Sequence, residues 1–396
     1  MDKKEKDSMP GWARELRNQF PVTGKWAYFD SAYECSGAAF QEEASRKYFR
    51  DKSYFYPGIP QEGGSGKGAA IGVVEETRDL LSDLIHGEGG RNIAFTQNTC
   101  QAVGLFAESF PFESGDNVVI GDIEHVSVLY PIISLRKRGV EVRLVHAENE
   151  WSLTAEKLLE HVDEHTRFVA VSFVQSASGY RIDMKKLADG CHKMGCLVLT
   201  DAIQILGFQD VDVKKLGIDA LAASFYKGIL SIEGGGFLYV STPVLKELSP
   251  NMAGPNPALR IDRESGTYQI INPADARKLE AGTLPFHTLY CTNASLRLIL
   301  SIGMDEISKH IEECWQAVLS GLTAIGYRID TPAAHHCHSM LVCTKDKDGM
   351  AAYFQSHGVF ITAGHGDHVR ISVNVFTSPE DIGKLIETAE NWYSEK

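Results

Sequence analysis

Helical and β-type patterns alternate along the chain from about residue 68 to residue 240, and this alternation limits the fold more than any other feature. It is typical of a mostly parallel sheet with helices on both faces. We predict seven strands, near 92–96, 117–121, 141–145, 167–173, 196–200, 218–223 and 236–240. Apolar residues recur at helical spacing between them, over 70–86, 99–109, 126–138, 154–162 and 183–194.

Length and composition indicate a globular protein of two domains. The chain has 396 residues, of which 43% are hydrophobic and 23% are charged. Its net charge of -13 argues against a nucleic-acid or anionic-membrane partner, because the phosphates of either would be repelled.

Targeting signals and cysteine usage indicate where the protein works. We do not expect the charged N-terminus to be a signal peptide, and we find no apolar run long enough to span a bilayer. The eight cysteines form no CxxC pair, so we expect reduced thiols and a cytoplasmic location.

The predicted α/β pattern stops at a stretch rich in Pro, Gly and Asn, residues 249–257. Beyond it, residues 290–326 look helical, strands near 339–344 and 368–375 surround a helix, and residues 379–395 form an amphipathic helix. We therefore predict an N-terminal arm (1–25), a large domain (26–255) and a smaller α+β domain (256–396).

Two residues at the ends of buried strands indicate a cofactor. Asp201 follows the apolar run 196–200, and Lys227 ends the run 218–227 ahead of a glycine triplet. In a parallel sheet, ligands bind beyond the carboxyl ends of the strands. Pyridoxal phosphate needs an amine for a Schiff base and a carboxylate that keeps the pyridine nitrogen protonated, and these two residues supply both. The alternative interpretations are a helix N-cap for Asp201 and a surface lysine for Lys227.

Other residues after predicted strands fit the same cofactor. Thr99 begins a helix, whose free N–H groups and dipole favour a phosphate, and Ser224 and Tyr226 offer hydroxyls beside Lys227. The Gln204 amide is placed to reach the phenolic oxygen of the ring. His125 could lie over the ring face or be a buried structural histidine.

Several motifs resemble the class V aminotransferase group of fold-type I pyridoxal-phosphate enzymes, which contains cysteine desulfurases, epimerase-like proteins and kynureninase. Residues 28–32 (YFDSA) resemble its opening YLDNA, and residues 95–102 (FTQNTCQA) resemble its phosphate-binding turn FTRGTTEA. Residues 279–283 (LEAGT) resemble FEAGT, and residues 369–372 (VRIS) resemble the segment with the carboxylate-binding arginine. The resemblance covers nearly the whole chain and leans toward the epimerase-like branch.

The resemblance implies roles for particular residues. Its large domain would carry the seven-stranded sheet and the cofactor, and a homodimer would place Thr283 at the phosphate of the neighbouring site. Lys227, His125 and Asp201 are the predicted catalytic residues. The predicted cofactor-binding residues are Thr99, Cys100, His125, Ser176, Asp201, Gln204, Ser224, Tyr226, Lys227 and Thr283. The predicted substrate-binding residues are Arg370, as the clamp for an amino-acid carboxylate, with Tyr33, Gln175 and His365.

The sequence departs from the desulfurase pattern where those enzymes carry a nucleophilic cysteine. Residues 362–368 run almost directly into Arg370, and no cysteine follows Cys343. Formation of a persulfide on the protein needs a thiolate that attacks the substrate sulfur, so the pattern disfavours it.

Two other motifs are weaker. The run 63–68 (GGSGKG) suggests a phosphate-binding P-loop, but it lacks the first required glycine and the Ser or Thr after the lysine. His336 and His338 are spaced to share one strand face and could bind a metal. We predict neither a P-loop nor a metal site.

The shared chemistry begins with loss of the Cα proton, and the fate of the resulting carbanion stays open at this stage. We rank β-elimination first, as C–S cleavage of a cysteine-like substrate, ahead of transamination and epimerisation. Tyr33, His365, Asp367 and His368 are candidates to bind or protonate the leaving group. A non-catalytic pyridoxal-phosphate-binding protein is a further alternative.

Overall fold

A seven-stranded sheet forms the centre of the protein in a computed structural model, which describes residues 9–53, 67–147, 151–250, 258–262 and 264–395. The strands run in the order β2-β8-β7-β6-β5-β3-β4, and β8 alone among them is antiparallel to its neighbours. They are β2 Ile93–Thr96, β3 Asn117–Gly121, β4 Glu141–Val145, β5 Thr166–Ser172, β6 Leu197–Asp201, β7 Ala220–Ser224 and β8 Gly236–Val240. All seven predicted strands are confirmed, with bounds within two residues of those expected.

Most strands of the sheet are buried on both faces because helices cover the sheet on both sides. Every residue of β2, β3, β7 and β8 is buried, which explains why these segments read as unbroken apolar runs. The helices before residue 250 are α1 Gly11–Arg17, α2 Ala39–Lys52, α3 Lys67–Leu84, α4 Thr99–Ser109, α5 Val126–Ser134, α6 Ala155–Leu159, α7 Met184–Lys193, α8 Val213–Leu216 and α9 Thr242–Glu247.

The C-terminal part contains three long helices, one shorter helix and small sheets. The segment expected to be helical over 290–326 is divided at Gly303, where a φ of 93° ends one helix and starts the next. The helices are α10 Phe286–Ile302, α11 Met304–Ile325, α12 Lys347–Ser356 and α13 Pro379–Glu395. The strands are β9 Ala258–Asp262, β10 Thr267–Ile271, β11 Ser339–Cys343, β12 Val359–Phe360, β13 Thr362–Ala363 and β14 His368–Ser372.

Backbone pairing ties the N-terminal segment to this C-terminal part. Strand β1, Ala27–Tyr28, pairs in parallel with β12, and β14 lies between β11 and β13 in an antiparallel sheet. Helix α10 in turn contacts α3, where Asn293 Nδ2 donates to Thr77 Oγ1 at 3.2 Å. The predicted domain boundary at 255/256 falls outside the described residues and stays a prediction. Among those that are described, no helix is both long and apolar enough to cross a membrane.

Candidate active site

A small inner cavity lies at the carboxyl ends of the central strands. Its volume is about 80 Å³. Residues that directly follow strands form most of its wall, as expected for a parallel α/β sheet. The lining residues include Asn98, Thr99, His125, Ser127, Ser172, Ser176, Asp201, Gln204, Ser224, Tyr226 and Lys227. The structure thus brings together eight of the ten predicted cofactor-binding residues.

Lys227 is an almost fully buried amine, with 7% of its surface exposed. Burial lowers its pKa to about 8, and Arg370 contributes to the shift, while Asp201 and Asp30 partly oppose it.

The segment that carries Lys227 makes a close backbone contact with the segment that follows β6. Gly207, after β6, meets Gly228, after β7. A Cβ at either glycine would clash with the facing backbone. This contact holds the segment that follows Asp201 against the segment that follows Lys227.

Asp201 is the last residue of β6 and is buried. Its Oδ1 accepts the Ile203 N–H at 2.9 Å, while burial raises the pKa of the carboxyl to about 6. Gln204 Nε2 donates to the Ala32 carbonyl at 3.0 Å and lies 3.4 Å from Ser176 Oγ. The buried Gln204 Oε1 has no partner among the described residues.

The start of helix α4 supplies polar groups at the same cavity. The Thr99 N–H donates to Ser224 Oγ at 2.8 Å, and the two hydroxyl oxygens are 3.0 Å apart. Asn98 Oδ1 caps the helix by accepting the Gln101 N–H. A buried amine, a buried carboxylate and a hydroxyl-lined helix N-terminus are together the donor set that an aldehyde-bearing pyridine phosphate requires. The residues present therefore fit pyridoxal phosphate.

His125 is exposed at the mouth of the cavity and is therefore not a buried structural histidine, and its place over the ring face stays a prediction. Its Nδ1 accepts the Ser127 N–H at 3.2 Å and so caps helix α5, which fixes the ring and leaves Nε2 to carry the proton. Its side chain also lines the cavity wall. Partial burial, together with Lys227 and Arg370, lowers the pKa of the imidazole and favours its neutral form.

Glu124 is a buried carboxyl near the inner cavity for which we predicted no role. It is buried, and its carboxyl accepts the Ser172 N–H at 2.9 Å and Gln175 Nε2 at 2.6 Å. Burial raises its pKa to about 7. Gln175, expected at the substrate, is turned toward Glu124 and is absent from the walls of the cavities described here. The Glu124 contacts fix the end of β5 beside Asp201, which pairs with Ser172.

A wider outer pocket of about 820 Å³ opens onto the inner cavity, and His125 and Ser176 line both. Arg370 projects from β14 into its wall. Its Nη1 donates to the Ser176 carbonyl at 2.8 Å, and its Nη2 lies 3.8 Å from Asp30 Oδ1. Its buried Nε has no partner in the described part of the chain. A guanidinium with an unpaired donor in a pocket is suited to bind a carboxylate.

Asp30 is a second residue for which we predicted no role, although the motif at 28–32 contains it. Its carboxylate is buried, accepts Thr362 Oγ1 at 2.9 Å and lines the outer pocket. Burial raises its pKa, and this shift is opposed by the Thr362 hydrogen bond and by Arg370 and Lys227. Asp30 therefore provides a negative charge beside the arginine that we predict as the substrate clamp.

Some predicted residues lie on the outer pocket, and others lie away from both cavities. Tyr33 and His365 line the outer pocket and are exposed. Three other predicted residues are exposed and line neither cavity: Cys100, Thr283 and Asp367. His368 is buried, and its Nε2 lies 2.7 Å from Asp330 Oδ2. Cys35 is the one cysteine in the walls of these two cavities. Burial raises the pKa of its thiol to about 12, so it is not a thiolate at neutral pH.

The structure describes the two weaker motifs only in part. Residues 63–66 of the glycine-rich run lie outside the described residues, and Lys67 begins helix α3. His336 Nε2 lies at hydrogen-bond distance, 2.7 Å, from Glu312 Oε2, and the His336 ring stacks on Trp315. His338 instead stacks on Phe208 at a ring distance of 3.7 Å. The two imidazoles thus contact different neighbours.

Comparison with known proteins agrees with this geometry. The family model for class-V aminotransferases matches residues 53–385. A probable cysteine desulfurase of Methanothermobacter thermautotrophicus is 30% identical over 95% of this chain and 97% of its own length.

Solved structures share the fold at lower identity. A cysteine desulfurase from Thermococcus onnurineus, 23% identical, superposes with a TM-score of 0.86 over 96% of this chain and 98% of its own. The cystine C–S lyase C-DES, solved with its product cysteine persulfide, is 17% identical with a TM-score of 0.83, over 94% of this chain and 99% of its own. This chain belongs to the class-V aminotransferase family, whose members are pyridoxal-phosphate enzymes of fold type I.

Proposed function

We propose that the protein is a pyridoxal-phosphate-dependent C–S lyase that acts on a cysteine-type amino acid by β-elimination. The observation that carries the proposal is the junction of two cavities. A buried lysine and aspartate lie at the inner one, and an arginine with an unpaired donor lies at the outer one. The names of the similar proteins, cysteine desulfurases and a cystine C–S lyase, support the substrate class.

Arg370 orients the substrate through its carboxylate. The Nη1 bond to the Ser176 carbonyl fixes the guanidinium plane in the wall of the outer pocket, where its positive charge attracts an anion. Asp30, near Nη2, limits how strongly the site holds a carboxylate and can also attract the substrate ammonium. An α-amino acid thus presents its amine toward Lys227 and its carboxylate toward Arg370.

Lys227 acts as the base at the substrate Cα. Because burial brings its pKa to about 8, roughly a tenth of the amine is neutral at pH 7 and can accept a proton, against less than about a thousandth of an ordinary lysine. When bound, the cofactor ring accepts the electron pair that the Cα–H bond leaves behind. The Asp201 carboxylate holds a negative charge at the end of β6, where the ring nitrogen must carry a proton.

Elimination then breaks the Cβ–S bond, and the sulfur leaves with the electron pair and takes up a proton. His125, Tyr33 and His365 line the outer pocket and are the candidate donors of that proton. Cys35, in the same wall, is kept protonated by burial and is a poor acceptor of sulfur. We therefore expect free sulfide or a free persulfide as product instead of a persulfide on the protein.

The proposed assembly is a homodimer in which Thr283 reaches the phosphate of the neighbouring site. Thr283 is exposed in the single chain, and it lies away from the walls of this chain's own cavities. We place the protein in the cytoplasm. Its eight cysteines are all unpaired, and most of them are buried, which suits a reducing compartment.

Proton NMR of the loaded enzyme in deuterium oxide tests the reaction type. Cysteine, cystine and S-alkyl cysteines are supplied without a keto acid, and Lys227→Ala serves as the inactive control. Catalytic formation of pyruvate, ammonia and a sulfur product supports the lyase. Deuterium entering Cα without breakdown of the substrate contradicts it and indicates an epimerase or a transaminase.

A further inference from the structure

Three side chains of metal-ligand type converge on the small-domain sheet, outside both cavities. Cys343 ends β11 and lies opposite His368, the first residue of β14. Asp330 follows Ile329, which bridges to Val342 on β11. One donor atom from each of Asp330, Cys343 and His368 lies within 4.8 Å of the other two. Three separate segments of the chain therefore deliver a carboxylate, a thiol and an imidazole to one point.

The hydrogen bonds of His368 orient its ring toward the other two side chains. Its Nδ1 lies 3.2 Å from the His365 carbonyl, which can only accept, so Nδ1 donates. Its Nε2 lies 2.7 Å from Asp330 Oδ2. The bond at Nδ1 therefore leaves Nε2 as the ring atom that is directed at Asp330 and available as a ligand.

The third ligand and the surroundings favour a metal. A metal-bound histidine usually donates its other nitrogen to a carbonyl, as His368 does to His365. Cys343 is half-buried and adds a soft sulfur donor, which selects thiophilic ions such as Zn²⁺. Arg328 Nε donates to Asp330 Oδ1 at 2.9 Å and orients the carboxylate. The Trp151 ring meets His368 edge-on at 4.6 Å and shields it from water.

The distances allow zinc after small side-chain movements. Zinc binds sulfur at about 2.3 Å and nitrogen or oxygen at about 2.0–2.2 Å, which places neighbouring ligand atoms about 3–4 Å apart. The three ligand atoms lie within 4.8 Å of one another, so rotation of the Cys343 side chain brings its sulfur closer. His368 Nε2 and Asp330 Oδ2, now 2.7 Å apart, must separate slightly to admit the ion. The charges of the thiolate, the carboxylate, the neutral imidazole and the Arg328 guanidinium sum to about -1. This net negative charge attracts a divalent cation.

We propose that Asp330, Cys343 and His368 form a binding site for one zinc ion, with a fourth position left for water. Binding releases the thiol proton of Cys343, and no redox change takes place. The ion cross-links β11, β14 and the segment before β11. Because His368 lies two residues before Arg370 on β14, the ion also fixes the strand that carries the carboxylate clamp.

Titration of the cofactor-loaded enzyme with Co²⁺, followed by competition with Zn²⁺, tests the site without an activity assay. We expect one Co²⁺ per chain, thiolate-to-cobalt charge-transfer bands in the near ultraviolet, and their loss when Zn²⁺ is added. Cys343→Ser removes the sulfur bands, and His368→Gln weakens binding at least about tenfold. In the wild type, Zn²⁺ raises the thermal unfolding midpoint, and a chelator reverses the increase.

A matched control separates this site from ordinary surface pairs. His86 also pairs with an aspartate, Asp210, at 3.0 Å, but its pair is exposed. His86→Gln should therefore leave the stoichiometry and the sulfur bands unchanged. Absence of the bands in folded wild-type protein, or bands that persist in Cys343→Ser, overturns the proposal. In that case the group is held together by the hydrogen bonds of Asp330 with His368 and Arg328 alone.

Discussion

Arg370 Nη1 donates to the carbonyl oxygen of Ser176 at 2.8 Å and so joins strand β14 to the loop that follows β5. Ser176 also lines the inner cavity, and its hydroxyl lies 3.4 Å from Gln204 Nε2. The loop that fixes Arg370, the predicted substrate clamp, therefore also forms part of the wall of the inner cavity. This contact spans 194 residues of sequence, and it sets the distance between the two parts of the site.

Replacing Arg370 with lysine keeps the positive charge but removes the guanidinium fork. We expect the KM for an amino-acid substrate to rise about 10- to 100-fold, because a hydrogen bond to a charged group contributes about 1.5–3 kcal/mol. The dissociation constant from the absorbance change on substrate addition should rise in parallel. Arg46→Lys, on the exposed face of α2, is the control. An unchanged KM in R370K would assign the carboxylate to another residue.

Replacing Lys227 with alanine removes the buried amine that we expect to bind the cofactor covalently. Borohydride reduction of the wild type should attach the cofactor to the peptide that contains Lys227, as mass spectrometry can show. The variant should lose its visible absorbance on dialysis and show no turnover. Lys215→Ala, at a lysine whose side chain is 84% exposed, should behave as wild type. Retention of a covalent cofactor in K227A contradicts the assignment.

The low pKa of Lys227 predicts how pH affects cofactor uptake by the apoprotein. The protonated amine cannot add to an aldehyde, so the uptake rate should rise with pH and level off above about 8. A lysine with the ordinary pKa of about 10.4 would give a rate that continues to rise well beyond that pH. The rate of absorbance change at fixed pyridoxal phosphate measures this. A midpoint near the ordinary value would show that burial does not lower this pKa.

Replacing Asp201 with asparagine removes a negative charge that raises the pKa of Lys227. The midpoint of cofactor uptake should therefore move to lower pH in D201N. In the loaded enzyme, kcat should fall at least about tenfold, because the charge-assisted bond to the ring nitrogen is lost. Asp212→Asn, at the N-cap of the distant helix α8, is a control for loss of a capping aspartate. A midpoint that moves to higher pH would contradict the electrostatic argument.

Replacing Glu280 with alanine should destabilise the fold, because it removes the buried carboxylate from Arg78 and leaves only the partly exposed Glu75, at 3.4 Å, as a counter-charge. The two side chains are 2.7 Å apart with exposures of 3% and 1%, and Glu280 Oε1 also accepts the Phe95 N–H. Removal of one member of a buried pair costs about 3–5 kcal/mol in the free energy of unfolding. Urea unfolding measures the change. Glu42→Ala, in an exposed pair with Arg46, should cost much less.

The sequence by itself determined the central sheet and the residues at its carboxyl edge. Strands buried on both faces must be continuously apolar, so β6 and β7 could be identified without a structure, and with them the positions of Asp201 and Lys227. The break at Gly303 was missed because a single glycine in an apolar periodic segment does not reveal its φ.

Tertiary structure decided which polar residues face the site. Gln175 follows a strand as Ser176 does, yet it bonds to the buried Glu124, and Cys100 is exposed although Thr99 beside it lines the cavity. Asp30 lies beside Arg370, and Asp330 beside Cys343 and His368, because strands distant in sequence pair with one another. Local pattern reports which residues begin and end a strand. The contacts between distant strands depend on packing of the whole chain, which local pattern does not contain.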